Sequence, residues 1–194
     1  MSTTKRWVWA IAIGLLSVIG TGSLAFGAAL HGRWDIVGVQ GTDVLPGGIA
    51  SAMANDGSLI TLTGSGTFVA PTSAGTSHAV TGGGTWETRG FLGIGAASGT
   101  YSVTSLVHFE PAPGTLSPLD DLVGNPDEAS AGLLVLSIAY SDGSHGILVV
   151  SCRLEGALDT DGVFEGITAT KGFVDFWRNF PIRGSNRTLF HIRQ

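Results

Sequence analysis

Three short stretches of the chain repeat one pattern: Ser65-Gly66-Thr67-Phe68, Gly83-Gly84-Thr85-Trp86 and Ser98-Gly99-Thr100-Tyr101 each set a small residue, a glycine, a threonine and an aromatic in that order. In a pleated strand successive side chains point to opposite faces, so each glycine shares a face with the aromatic two places on and the threonine points away. A glycine lets a sheet bend sharply, and a ring fills the space above the bend, which is what curved sheets and barrels require. The repeat therefore predicts strands that roll toward closure.

The first residues have the layout of an export signal. Lys5 and Arg6 form the positive end, Trp7 to Ile19 the apolar stretch, and Ser23-Leu24-Ala25 a small-x-small cleavage site, with a second at Ala25-Phe26-Gly27. The apolar stretch is short beside a bilayer span of about 20 residues, so residues 1–25 read as a cleaved signal peptide and the product as extracytoplasmic and secreted. Continuation through Leu24 to Leu30 makes an uncleaved N-terminal anchor the alternative, and membrane contact is expected through this segment alone.

Without that leader the formal charge moves from −5 to −7, eight basic residues against fifteen acidic, and Lys171 is the sole lysine left. Phosphate binding needs clustered Lys and Arg, so a nucleic-acid partner is excluded. Arg178, Arg183, Arg187 and Arg193 make the C-terminus locally basic and read as solvated or internally paired. The single cysteine, Cys152, leaves no internal disulfide to staple an exported fold, so residues 32–193 must form one domain on core packing alone.

Along the chain, strands are expected at Gly32 to Gln40, Ile49 to Ala54, Leu59 to Val69, Ala79 to Thr88 and Ala97 to Phe109. Asn55-Asp56-Gly57-Ser58 and Ser141-Asp142-Gly143-Ser144 carry tight-hairpin chemistry, the second joining the hydrophobic runs Leu133 to Tyr140 and Gly146 to Leu154. After a turn at Asp159 to Gly162, Val163 to Thr168, Gly172 to Arg178 and Arg187 to Ile192 complete the set. Between them Glu110 to Ser130 holds four prolines and does not alternate. It reads as a long partly ordered flap over one barrel end, with a passive surface loop as the equal alternative, and helical turns are expected to start at Ser117-Pro118 and at Asn125-Pro126. The fold class is all-β, a single antiparallel barrel of about eight strands, with a two-sheet sandwich as the alternative.

Candidate sites are sparse. Asp175 lies on one face with Phe173 and Trp177, and a carboxyl between rings would act in acid-base work or orient a ligand hydroxyl if that face looked inward. The opposite parity would leave Asp175 a solvated strand residue. Glu165 shares a face with Val163 and Ile167 and is a weaker candidate. His108 and Glu110 share a strand face beside the long loop and read as a surface pair. Cys152 belongs to the apolar row Leu148, Val150, Cys152, Leu154 and reads as a small buried hydrophobe. No metal-ligand spacing, phosphate loop, nucleophile elbow or cofactor fingerprint occurs. Asn186-Arg187-Thr188 matches an N-glycosylation acceptor.

Gly162-Val163-Phe164-Glu165-Gly166-Ile167-Thr168, followed by Lys171-Gly172-Phe173-Val174-Asp175-Phe176, resembles the late barrel strands of the allene oxide cyclase and dirigent-like group. The resemblance implies an eight-stranded barrel with an apolar cavity that binds or guides a hydrophobic small molecule, often as an oligomer. No catalytic residue of those families finds a match. The leading expectation is an exported barrel binding a small apolar ligand inside, lined by Trp34, Trp86, Phe173 and Trp177 with Asp175 as anchor. The alternatives are an isomerase or cyclase using Asp175, and a structural or adhesive module whose centre is filled by side chains.

Overall fold

The computed structural model describes residues 29–71, 75–155, 164–182 and 185–193. The leader, the turn at Asp159 to Gly162, Val163 and Arg183 lie outside them.

Six strands close into an antiparallel ring: β1 (Leu30–Gln40), β5 (Ser65–Ala70), β6 (Gly83–Arg89), β7 (Ala97–Ala112), β9 (Ala129–Tyr140) and β14 (Arg187–Arg193), each pairing with the next and β14 returning to β1. The other eight strands lie outside this ring. β10 (His145–Cys152), β11 (Gly166–Lys171) and β12 (Val174–Phe176) extend from β9, while β4 (Leu59–Leu62), β3 (Ala50–Met53) and β13 (Arg178–Asn179) extend from β6. Only Trp177 separates β12 from β13, so the two extensions meet. β2 (Asp43–Pro46) pairs with the far half of β1, and β8 (Asp120–Asp121) pairs with β2. Closure replaces the sandwich alternative.

The glycine-aromatic repeats fall on β5, β6 and β7, consecutive in the ring. Phe68, Trp86 and Tyr101 are buried, whereas Thr67, Thr85 and Thr100 are exposed. The rings are accommodated across strands: Gly32 lies opposite Phe68, and a Cβ on it would sit 2.1 Å from the ring. Trp86 likewise stands over Gly99 on β7, its indole N–H donating to Thr100 O at 3.1 Å.

The centre is filled. Phe68 on β5 meets Phe109 on β7 at 4.8 Å between centroids, and Phe109 meets Phe190 on β14 at 5.4 Å. No two of those strands are neighbours, so the rings touch across the interior. Trp34, Ile36, Leu106, Leu134 and Leu136 pack with them, each at most 1% exposed. Truncating a buried Phe costs roughly 3–5 kcal/mol, so these rings are a large part of what holds the barrel together.

The strand expected over Leu59 to Val69 is split at Thr63-Gly64, where Tyr101 Oη donates to Thr63 O at 2.8 Å. In the proline-rich segment a 3-10 turn forms at Pro126–Glu128, capped by Asn125, as expected. The helical turn expected after Ser117-Pro118 does not form. Asp120 N and Leu122 N instead donate to Thr42 O and Val44 O, drawing the chain into β8. The segment runs along the surface, as the loop alternative has it: Leu116 and Leu119 lie beside Val37, Val44 and Leu189 of β1, β2 and β14 and join the apolar cluster. The barrel thus has a second apolar layer outside it. Among the described residues no helix is long and apolar enough to cross a membrane.

Candidate functional site

Where strands leave the ladder, main-chain N–H groups lose their partners and must find others. Three strand ends converge here: Arg153 just after β10, Glu165 just before β11, and Arg187-Thr188 at the start of β14. The Glu165 carboxylate meets the need, accepting from Arg153 N and from Thr188 N at 2.8 Å. Thr188 Oγ1 in turn donates to Ser151 O at 2.7 Å. Beside it, Asn186, held at φ 67°, offers its amide to Ser51 as a strand would. Ser51 N donates to Asn186 Oδ1 at 2.6 Å, and Asn186 Nδ2 to Ser51 O at 2.8 Å. Asn179 joins the seam, accepting from Asn186 and donating to Glu165 O at 2.8 Å.

Glu165 faces an open cleft of about 360 Å³. Val37, Val44, Leu116, Leu119, Leu154 and Leu189 give it apolar walls, while Glu165, Thr188, Arg153 and Arg187 form its polar end. Burial pushes the Glu165 carboxyl up to about 7, against the opposing pull of the Arg153 and Thr188 amides and the Arg187 charge. The group therefore changes protonation near neutrality, where it can accept or donate a hydrogen bond. Cys152, adjacent in the core, is buried and its thiol is pushed up by the same desolvation.

The cleft's loop wall is fastened by a second polar cluster. Asp121 and His191, with side chains 0% and 4% exposed, meet at 2.7 Å. Arg33 donates to Val123 O at 3.0 Å and to Asp35 at 2.8 Å, and Arg193 pairs with Glu128 at 2.8 Å. Burial raises the Asp35 carboxyl despite Arg33. Burial acts the same way on Asp121, but the His191 hydrogen bond and the Val123 and Gly124 amides outweigh it and hold that carboxyl below the usual range.

The residues singled out in the sequence do not gather in one place. Trp34 and Trp86 are buried at 0% and 3% exposure, whereas Phe173 is fully exposed, Asp175 is exposed and Trp177 is 52% exposed. Trp177 turns its indole N–H to Asn55 Oδ1 at 2.9 Å. The parity of β12 is the outward one: Phe176, beside Ala169, packs inside, which turns Asp175 and its flanking rings to the surface. His108 and Glu110 are a surface pair, 3.8 Å apart and more than half exposed. Glu165 was visible only as a weaker candidate. Asn186 and the Asp121–His191 pair gave no local signal, because their partners lie 135 and 70 residues away.

The fold and site together define a closed all-β barrel with a side-chain-filled centre and an outer cleft headed by a carboxyl. Compared with protein-family models, curated proteins and solved structures, the chain gives no match, so the site is read from its own geometry. Among the described residues no three His, Cys, Asp or Glu side chains converge to hold a metal ion.

Proposed function

We propose that this protein is an exported β-barrel that binds a small apolar molecule in the outer cleft rather than in the interior, with Glu165 as its polar anchor. The observation that carries the reading is a carboxyl poised near neutrality at the end of an apolar-walled opening. A buried ionisable group costs stability that a hydrophobe of the same volume would not, and such groups concentrate where ligands or protons are handled. Apolar walls with a few convergent polar groups are the usual make-up of a small-molecule site. Export is supported by the signal-like residues 1–25, and the resemblance to the allene oxide cyclase and dirigent-like group is consistent with an apolar ligand.

Calorimetric titration with 1-octanol and a neutral naphthalene probe tests the reading. Saturable binding is expected, weakened at least about tenfold by Leu119→Asp, which puts a charge into the apolar wall. No saturable binding of either probe would defeat it and favour the structural module with a filled centre. A second reading, proton transfer on the bound molecule, draws on the same carboxyl. It requires turnover that Glu165→Gln abolishes while binding persists.

A further inference from the structure

The charges at the polar end of the cleft narrow the ligand class, on the footing that the cleft is a ligand site at all. Arg187 lines that end, is exposed, and among the described residues has no carboxylate within ion-pair distance. The charged side chain acting on Glu165 is Arg187 from β14; Arg153 at the end of β10 acts through its main-chain N–H, and the Glu165 charge in turn raises the buried Cys152 thiol. With Glu165 ionised, its charge answers Arg187 at a distance. With Glu165 neutral, the guanidinium stands uncompensated beside an apolar wall. Guanidinium is the side chain best matched to a planar carboxylate, which it grips with parallel N–H donors. A carboxylate arriving there would bring a second negative charge close to the first, and like charges at such range do not both persist.

We propose that the cleft selects an amphipathic monocarboxylate, its tail against Val37, Val44, Leu116 and Leu119 and its head on Arg187, and that binding is accompanied by uptake of one proton at Glu165. The balance is simple: ligand carboxylate, ionised Glu165 and one proton from solvent give a complex carrying one negative charge. Arg153 N bonds Oε2 and Thr188 N bonds Oε1, so protonated Glu165 donates to the ligand oxygen through one of the two while the other keeps its own strand-end amide. The cleft, at about 360 Å³, suits a short chain.

Titration calorimetry with octanoate, 1-octanol and octylammonium, each in two buffers of different ionisation enthalpy, reads the proton directly. Octanoate is expected to bind at least about tenfold tighter than octanol, with octylammonium weakest. Proton uptake should approach one per octanoate at about pH 8 and vanish by about pH 6, where octanoate is still ionised, and affinity should fall about tenfold per pH unit above about pH 8. Arg187→Gln should erase the preference for octanoate over octanol. Glu165→Gln should abolish proton uptake and flatten the pH dependence of whatever octanoate affinity remains, and the wild-type proton count stands without that variant. Octanol binding as tightly as octanoate, octylammonium binding best, or octanoate binding without proton uptake would each overturn the inference while leaving an apolar site in place. Failure of all three ligands would overturn the site itself.

Discussion

Glu165 serves two purposes that pull against each other: it completes the hydrogen bonding of two strand ends, which favours its charge, and it is buried, which opposes it. Burial wins, and the consequence is a pH-dependent stability. Its pKa rises from 4.5 to about 7 on folding, so the folded chain binds a proton the unfolded chain releases. The contribution is full below about pH 4.5 and is lost as pH rises through about 7, amounting to about 3 kcal/mol. Urea denaturation across that interval should show wild-type stability falling with pH and Glu165→Gln much flatter; parallel slopes would refute the assignment. In the sequence Glu165 is a lone acid on a strand face, and nothing local reveals that Arg153 and Thr188 aim their amides at it. Asp175 shows the converse. Its neighbours Phe173 and Trp177 are as apolar as Val174 and Phe176, so alternation alone could not choose the inward set.

At the scale of elements, the buried His191–Asp121 contact is one of the ties that join the proline-rich segment to the wall. Asp121→Ala leaves His191 buried without that partner and should cost about 2 to 3 kcal/mol at neutral pH, read from denaturant midpoints. It should also speed protease cleavage within residues 113–128. Because folding lowers the Asp121 pKa, the wild-type contribution is present above the usual carboxylate range and lost as pH falls through the depressed value. Unchanged stability and cleavage would mean that apolar contacts alone hold the segment. The two hairpin turns were legible because their chemistry is local: Asp56 and Asp142 accept from Ser58 N and Ser144 N, at 2.9 and 3.1 Å. The Ser117 to Gly124 stretch was not, since its capping residues suit a helix but its N–H groups find the carbonyls of Thr42 and Val44.

For the whole molecule, the glycine-threonine-aromatic repeats told of curling and of which face turns inward, and the ring formed by β1, β5, β6, β7, β9 and β14 agrees. They did not tell of content. Phe68, Phe109 and Phe190 come from three separated strands, and that they meet in the middle depends on the closed register. On the function proposed above, a filled barrel leaves the outer wall for the ligand, where the proline-rich segment and β14 border an opening. Amide shift mapping of isotope-labelled protein titrated with octanoate tests this most directly. Saturable shifts are expected at Leu116, Leu119, Leu154, Glu165 and Thr188, with Phe68, Phe109 and Phe190 unmoved; shifts centred on those three phenylalanines, with the cleft silent, would contradict a ligand in the outer cleft.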